Sequence, residues 1–283
     1  MKAMILAAGL GTRLRPLTDT RPKALVEING RTLLEIMLTR LRTFGINEVI
    51  INVHHFADLI IDYLKSNNNF GMRLEISREE ILLDTGGGLK KVAWFFLENS
   101  APASPRRLDS NQMDEPFLLH NVDVISTIDF ARMLQFHKEH HALATLAVRA
   151  RETSRPLLFD DHFQLRGRSV APNQDPELVR NNAAGAPRQG TAVAVPESSE
   201  RLGPLVPEVK SSQPLQSLAF SGIHMISPRL LPMLTEEGVF SIIAPYLRLA
   251  AQGQPILAFR ADTYYWRDLG RLADLTQAAL DMQ

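Results

Sequence analysis

Residues 3–23 read AMILAAGLGTRLRPLTDTRPK, and this stretch restricts the fold more than any other. An apolar run closes in small residues, Gly9-Leu10-Gly11-Thr12-Arg13 follows, and Pro22-Lys23 comes shortly after. A buried strand that feeds a turn stripped of side chains belongs to a sheet whose carboxyl edge is open to a ligand. Uncovered backbone N–H groups in such a turn can wrap phosphate oxygens. Arg13 and Lys23 stand close enough in sequence to neutralise the charge, so the stretch predicts a nucleoside triphosphate site.

Two better-known phosphate loops do not fit. The P-loop requires G-x-x-x-x-G-K-[ST], and no lysine follows Gly9 or Gly11 at that offset. The dinucleotide fingerprint requires G-x-G-x-x-G, but the third position after Gly11 is Leu14. G-x-G-T-R-x-x-P followed by P-K instead resembles the signature of the sugar-1-phosphate nucleotidyltransferases, the NDP-sugar pyrophosphorylases. The pattern is similar to the short bacterial members, such as N-acetylmuramate-1-phosphate uridylyltransferases and mannose- or heptose-1-phosphate guanylyltransferases. The similarity spans most of the chain and leaves 169–216 uncovered.

The rest of the chain reads as a single α/β domain. Thr32–Phe44 places Leu33, Leu34, Met37, Leu38, Leu41 and Phe44 at helical spacing, and Gly45 stops it. Further helices are expected at Phe56–Asn67, Gly88–Leu97, Phe130–His140, Ser241–Ala251 and Arg271–Met282. Strands are expected at Lys2–Ala8, Glu48–Val53, Leu74–Ser77, Phe117–His120, Ala142–Val148, Leu218–Ile226, Ile256–Ala261 and Tyr264–Leu269. Strand–helix alternation implies βαβ units, a mixed and mostly parallel central sheet, and helices on both faces. With the resemblance, this is a three-layer Rossmann-like nucleotidyltransferase fold over residues 1–283. Ala101–Glu115 and the proline-rich Ser169–Gln216 read as insertions, the second as partial disorder or a flap near the substrate. No internal repeat or hexapeptide pattern appears.

Composition removes several function classes. Lys plus Arg and Asp plus Glu are 31 each, so no global field favours nucleic acid or an anionic membrane. There is no cysteine, which excludes disulfides and thiolate metal sites. AMILAAG is too short an apolar run for a signal peptide, and no stretch has the length of a membrane span. A cytoplasmic protein is expected, with homo-oligomerisation left open.

Asn121-Val122-Asp123 ends an apolar strand, and Trp266-Arg267-Asp268-Leu269-Gly270 offers a second acid after another. Each aspartate alone suits a turn or a helix cap. Together, on one rim beside the glycine loop, they predict a Mg²⁺ site of hard oxygen ligands. Both segments also match the family's N-x-D and W-x-D-x-G elements, although Val122 stands where a glycine is often found. Asp84-Thr85-Gly86-Gly87-Gly88 reads as a bare loop before a helix, on which a base or ribose can lie, with Glu80 placed to read a base edge. Phe220-Ser221-Gly222-Ile223 reads either as the strand that packs a glycine against the sugar or as a bulge. His137, His140 and His141 read as a solvated helix end, and His54 and His55 as loop residues after a strand, with the edge of the nucleotide pocket as the alternative for His54.

The resemblance implies a definite reaction. A sugar-1-phosphate oxygen attacks the α-phosphorus of a nucleoside triphosphate in line and releases pyrophosphate. It implies that Leu6, Ala8, Gly9, Gly11, Thr12, Glu80, Thr85, Gly86, Gly87 and Asn121 contact the nucleotide. Ser221 and Gly222 are implied at the sugar, Arg13 at the leaving phosphates and Lys23 at the α-phosphoryl group, with Asp123 and Asp268 on Mg²⁺. Many hexose-1-phosphate members carry a Glu-Lys pair after residue 160 that grips the sugar phosphate. Here that region reads Gln164-Leu165-Arg166-Gly167-Arg168, and Arg149, Arg151, Arg155 and Arg166 are all open substitutes. Two other functions remain open: a non-catalytic regulatory relative, and a cytidylyltransferase for phosphocholine caged by Tyr264, Tyr265 and Trp266.

Overall fold

A computed structural model describes residues 1–97, 115–169 and 214–282. The stretches expected to be insertions, 101–115 and 169–216, lie outside the described residues except at their ends. In chain order, β1 (Lys2–Leu6) leads to a small ribbon, β2 (Glu27–Ile28) and β3 (Arg31–Thr32), and then α1 (Leu33–Thr43). Next come β4 (Glu48–Val53), α2 (Ala57–Ser66), β5 (Arg73–Arg78), α3 (Asp84–Lys91) and α4 (Ala93–Leu97). β6 (Phe117–Asn121), β7 (Val124–Ser126), α5 (Phe130–Glu139), β8 (Ala144–Arg149), β9 (Leu157–Phe159) and β10 (Leu165–Arg168) follow. The chain closes through β11 (Gln216–Ile226), α6 (Ile243–Ala251), β12 (Ile256–Arg260), β13 (Trp266–Asp268) and α7 (Leu272–Asp281).

Among the described residues a nine-stranded mixed sheet forms the middle layer. β1 pairs in parallel with β4 and β6, β4 with β5, and β8 with β12. The long β11 runs antiparallel to β6, β8 and β9 and joins the two halves. Strand residues alternate between two cores because successive side chains point to opposite faces. Met4, Ile50 and Leu119 pack on one side with Leu89, Phe95 and Tyr246. Ala3, Ile5, Val49 and Ile51 pack on the other with Leu38 and Phe130. Strands covered on both faces read as continuous apolar runs, which is why β1, β4 and β6 were legible. α1 starts where Thr32 Oγ1 accepts the Glu35 N–H at 3.0 Å, and α5 where Asp129 caps Ala131 and Arg132.

Three expectations change. α3 begins at Asp84, not Gly88, so the glycine triplet lies inside its first turns. The N–H groups of Gly86 and Gly87 donate to Phe240 O, and a Cβ on Gly87 would lie 2.5 Å from Gly238 O. Those glycines let the helix seat against 238–240 rather than leave a floor for a base. The expected strand Tyr264–Leu269 contracts to β13, whose partner β7 is three residues long and gave no periodicity. His137 is not solvated: it is buried, and its Nδ1 is 2.9 Å from Thr145 Oγ1. His140 does lie at an exposed helix end, stacked on Phe136. Among the described residues no helix is long and apolar enough to cross a membrane.

Candidate active site

The carboxyl ends of β1, β4 and β6 open on one cleft of about 350 Å³. Leu6, Ala8 and Gly9 line it, and among the described residues no acceptor takes the N–H of Gly9, Leu10 or Gly11. These are free donors at a strand's end, as an anion cradle requires. The two loop glycines differ. Around Gly9 nothing lies within 4 Å of a would-be Cβ, whereas at Gly11, with φ +66°, a Cβ would meet Thr18 Cγ2 at 2.9 Å and Lys23 Cβ at 3.2 Å. Gly9 leaves open space, while Gly11 lets the turn fold back on Lys23. Thr18 Oγ1 donates to Gly11 O at 2.8 Å and fixes that return, and Thr12 starts the short exposed turn that carries Arg13.

Lys23 is buried, and its ammonium is ion-paired with Asp123, 100 residues away. Asp268 stands alongside because β13 pairs antiparallel with β7: Asp268 opposes Val124, and Leu269 N donates to Asp123 O at 2.8 Å. Burial pushes the Asp268 carboxyl above its usual range, and the charge on Asp123 adds to that, with Lys23 and Arg13 opposing. A Cβ on Gly270 would lie 2.8 Å from Asp268 Oδ1 and 3.1 Å from the Arg13 guanidinium carbon. The glycine therefore makes room for Arg13 to approach Asp268. Two cations from the N-terminal segment and two distant aspartates converge.

Below them lies a polar pair the sequence reading passed over. Asn52 accepts the Ala7 N–H at 2.8 Å and donates to Glu79 Oε1 at 2.7 Å, and Glu79 Oε2 accepts the Leu83 N–H at 3.0 Å. Both line the cleft and both are buried, whereas Glu80 is exposed and does not line it. A polar residue inside the apolar run of β4 was the available signal for Asn52. Thr85 lines the cleft and accepts the Ile242 N–H, and Val239, distant in sequence, supplies part of the wall. His54 Nδ1 lies 2.8 Å from Glu79 O and is not in the cleft wall.

On the far side of Asn121, β11 breaks register with β8 between Phe220 and His224. Gly222 sits in that bulge with φ +75°, and a Cβ there would lie 2.8 Å from Asn121 Nδ2. Ser221, expected at the substrate, is instead buried; its Oγ has no partner among the described residues, and its carbonyl accepts the Trp266 indole N–H at 2.8 Å. The three aromatics do not form a cage. Tyr264 stacks on Phe259, Tyr265 bonds Asp281 through its hydroxyl, and Trp266 points to Ser221.

The family described as nucleotidyl transferase matches residues 2–159, more than half of the chain. This chain belongs to the nucleotidyl transferase family. It is 50% identical over 111 residues to an N-acetylmuramate alpha-1-phosphate uridylyltransferase of Caulobacter vibrioides, covering 38% of this chain and 45% of the relative. It is 35% identical over 149 residues to a mannose-1-phosphate guanylyltransferase catalytic subunit beta of Xenopus tropicalis, covering 52% and 38%. The chain thus matches less than half the length of these relatives. The fold is that of a UDP-glucose pyrophosphorylase solved with UDP-glucose, at a TM-score of 0.67 and 15% identity, over 99% of this chain and 97% of that one.

In this nucleotidyl transferase the paired carboxylates suit a hard divalent cation. Asp123 and Asp268 present oxygens to one place, and their repulsion is relieved here by Lys23 and Arg13. A small cation bound through one or two carboxylates plus substrate phosphates matches that donor set. The one cluster of three metal-binding groups among the described residues, Asp160, Asp161 and His162, lies elsewhere, and Asp160 is already paired with Arg166.

Proposed function

We propose that this nucleotidyl transferase joins a nucleoside triphosphate to a sugar 1-phosphate with Mg²⁺, giving an NDP-sugar and pyrophosphate in the cytoplasm. The observation that carries it is the convergence of Lys23, Arg13, Asp123 and Asp268 at the end of a loop with free N–H donors. The named activities of the uridylyl- and guanylyltransferase relatives support the same reaction class. A non-catalytic relative would be expected to lack one of those four side chains, and a phosphocholine site would need the aromatic cage that is not formed.

The acceptor phosphate is ionised at neutral pH, so no general base is needed. Its oxygen forms a bond to the α-phosphorus as the bond to the β-phosphate oxygen breaks, and pyrophosphate leaves with its electron pair. The chain contributes position and charge. The open turn at Gly9 receives phosphate oxygens on main-chain N–H groups, Arg13 faces the leaving pyrophosphate, and Lys23 meets the charge that builds on the α-phosphoryl group. Mg²⁺, held by Asp123 and Asp268, would neutralise the two anions as they meet. Asn52 and Glu79 keep the floor rigid.

A panel of triphosphates and sugar 1-phosphates, with and without Mg²⁺, tests this through pyrophosphate release. Release is expected only with all three present, and Asp123→Asn should raise the Mg²⁺ concentration required while leaving the melting profile folded. No release across the panel, or the same release in EDTA, overturns the proposal.

A further inference from the structure

We propose that Arg151 receives the phosphate of the incoming sugar 1-phosphate. The inference rests on the nucleotidyl-transfer reading above and specifies one residue within it. A phosphate monoester approaching a triphosphate needs positive charge of its own. Lys23 is already paired with Asp123, and Arg13 stands against Asp268 and Gly270.

Four arginines were open on sequence, and the structure separates them. Arg166 is taken by Asp160 through both Nε and Nη2 at 2.7 Å, and so braces the β9–β10 ribbon. Arg155 lies beside the like charge of Arg168. Arg149 directs Nη2 at Asp262 O, 3.5 Å away, and its guanidinium is 6.0 Å from the Trp266 ring centre. Arg151 alone of the four stacks closely on Trp266, at 4.5 Å.

The placement of Arg151 is built from the acceptor side of the site. Its Nη2 donates to Phe220 O at 3.1 Å and its Nη1 to Glu152 O at 3.3 Å, and among the described residues its other donors take no partner. Phe220 directly precedes the bulge in which Gly222 lies against Asn121. The indole under Arg151 is fixed by Ser221 O and lies two residues from Asp268 in the same strand. Burial lowers the pKa of the Arg151 guanidinium from its ordinary value and the charge on Arg149 adds to that, while Asp268 is near enough to oppose it. A planar cation held flat on an indole, with free N–H groups at an exposed edge, suits bidentate capture of a phosphate. Such a group would orient the acceptor oxygen toward the aspartates from beside Asp268.

Steady-state kinetics of wild type, Arg151→Ala, Arg151→Gln and Arg151→Lys, with each substrate varied separately, tests the assignment. The KM for sugar 1-phosphate should rise roughly 10- to 100-fold in Arg151→Ala, the scale of one charge-assisted pair. The KM for the triphosphate should stay within about twofold, because the nucleotide side is untouched. Arg151→Gln keeps a donor for Phe220 O without the charge and should behave like the alanine variant, while Arg151→Lys should recover part of the loss. If Arg151 merely props Trp266, Trp266→Phe would reproduce the acceptor defect, and that result would overturn the proposal. So would an acceptor KM unchanged in both Arg151→Ala and Arg151→Gln, or equal weakening of both substrates. A wild-type enzyme that turns over no pair in the panel removes the nucleotidyl-transfer reading, and this inference with it. Wild-type turnover with an indifferent Arg151 removes only the inference.

Discussion

The two rims of the cleft are built by different means. On the β1–β4–β6 rim, three parallel strands end together, and one continuous segment, Gly9–Lys23, brings the open turn and both cations. On the β11–β13 rim almost every position depends on a partner far away in the chain. Trp266 is held by Ser221 across 45 residues, Asp268 by its pairing beside Asp123, and Gly222 by its fit against Asn121. The first rim is a local motif resting on a rigid edge. The second exists only when distant strands find their register. Substitutions should therefore act mainly on chemistry at the first rim and on folding at the second.

The largest effect that tests this contrast is at Lys23. Lys23→Ala should lower kcat by roughly 10²–10³, the scale for losing one preorganised transition-state donor. Pyrophosphate release under saturating substrates checks it, and near-normal turnover removes Lys23 from the chemistry. A pair of glycine substitutions comes next. Gly222→Ala should destabilise by about 2 kcal/mol, since an alanine there must adopt a left-handed backbone and meets the Asn121 amide. Gly9→Ala, with open space around it, should change stability by less than about 0.5 kcal/mol. Denaturant unfolding of both variants reads the difference, and equal losses would erase the distinction between the rims.

A third test uses pH. His120 and His224 are buried in β6 and β11 and held neutral by burial, which lowers their pKa to about 4 and about 3. Arg40 opposes the charging of His120 and Asp123 favours it, while His224 faces Tyr246 and feels His120. The unfolded chain takes up these protons below its ordinary histidine value near 6.5, but the folded chain does not. Stability should thus fall as pH drops from about 6.5 toward 4, by up to ~1.4 kcal/mol per unit for each ring. Asp268, whose carboxyl is raised, works the other way, because its protonation favours the folded state as pH falls. Melting temperatures between pH 8 and 5 measure the sum; a flat profile in His120→Gln/His224→Gln beside a falling wild type would assign it to these rings. A modest effect is expected at Trp266→Phe, which loses the indole bond to Ser221 O but keeps a π-face under Arg151. A loss of about 1 kcal/mol is expected in urea unfolding, and a much larger one would mean that the indole fixes the whole rim.

Much of the first rim was legible because its physics is local. Buried parallel strands are apolar along their whole length, α1 shows its period and its Thr32 cap, and Gly9 to Lys23 carry loop and charges within one segment. Asn121, Asp123 and Asp268 were legible as polar residues at the ends of apolar runs. Glu79 and Glu80 were not distinguishable in that way. Both follow β5, and only the hydrogen bonds of Asn52 and Leu83 select the first. Gly86 and Gly87 were read as bare floor because glycine signals close approach without saying what approaches, and the neighbour proved to be 238–240. β7, β9 and β10 are too short for a period to show.

By itself, then, the sequence determined the layered α/β plan, the open turn at Gly9 and the four charged side chains Arg13, Lys23, Asp123 and Asp268. Only the folded molecule decided that β13 lies beside β7, that Glu79 rather than Glu80 faces the cleft, and that Arg151 packs closer than Arg149 over Trp266. Periodicity and turn chemistry act between neighbours along the chain. Pairing register, burial and the reach of a guanidinium are fixed between residues the chain keeps far apart, and no local pattern records them.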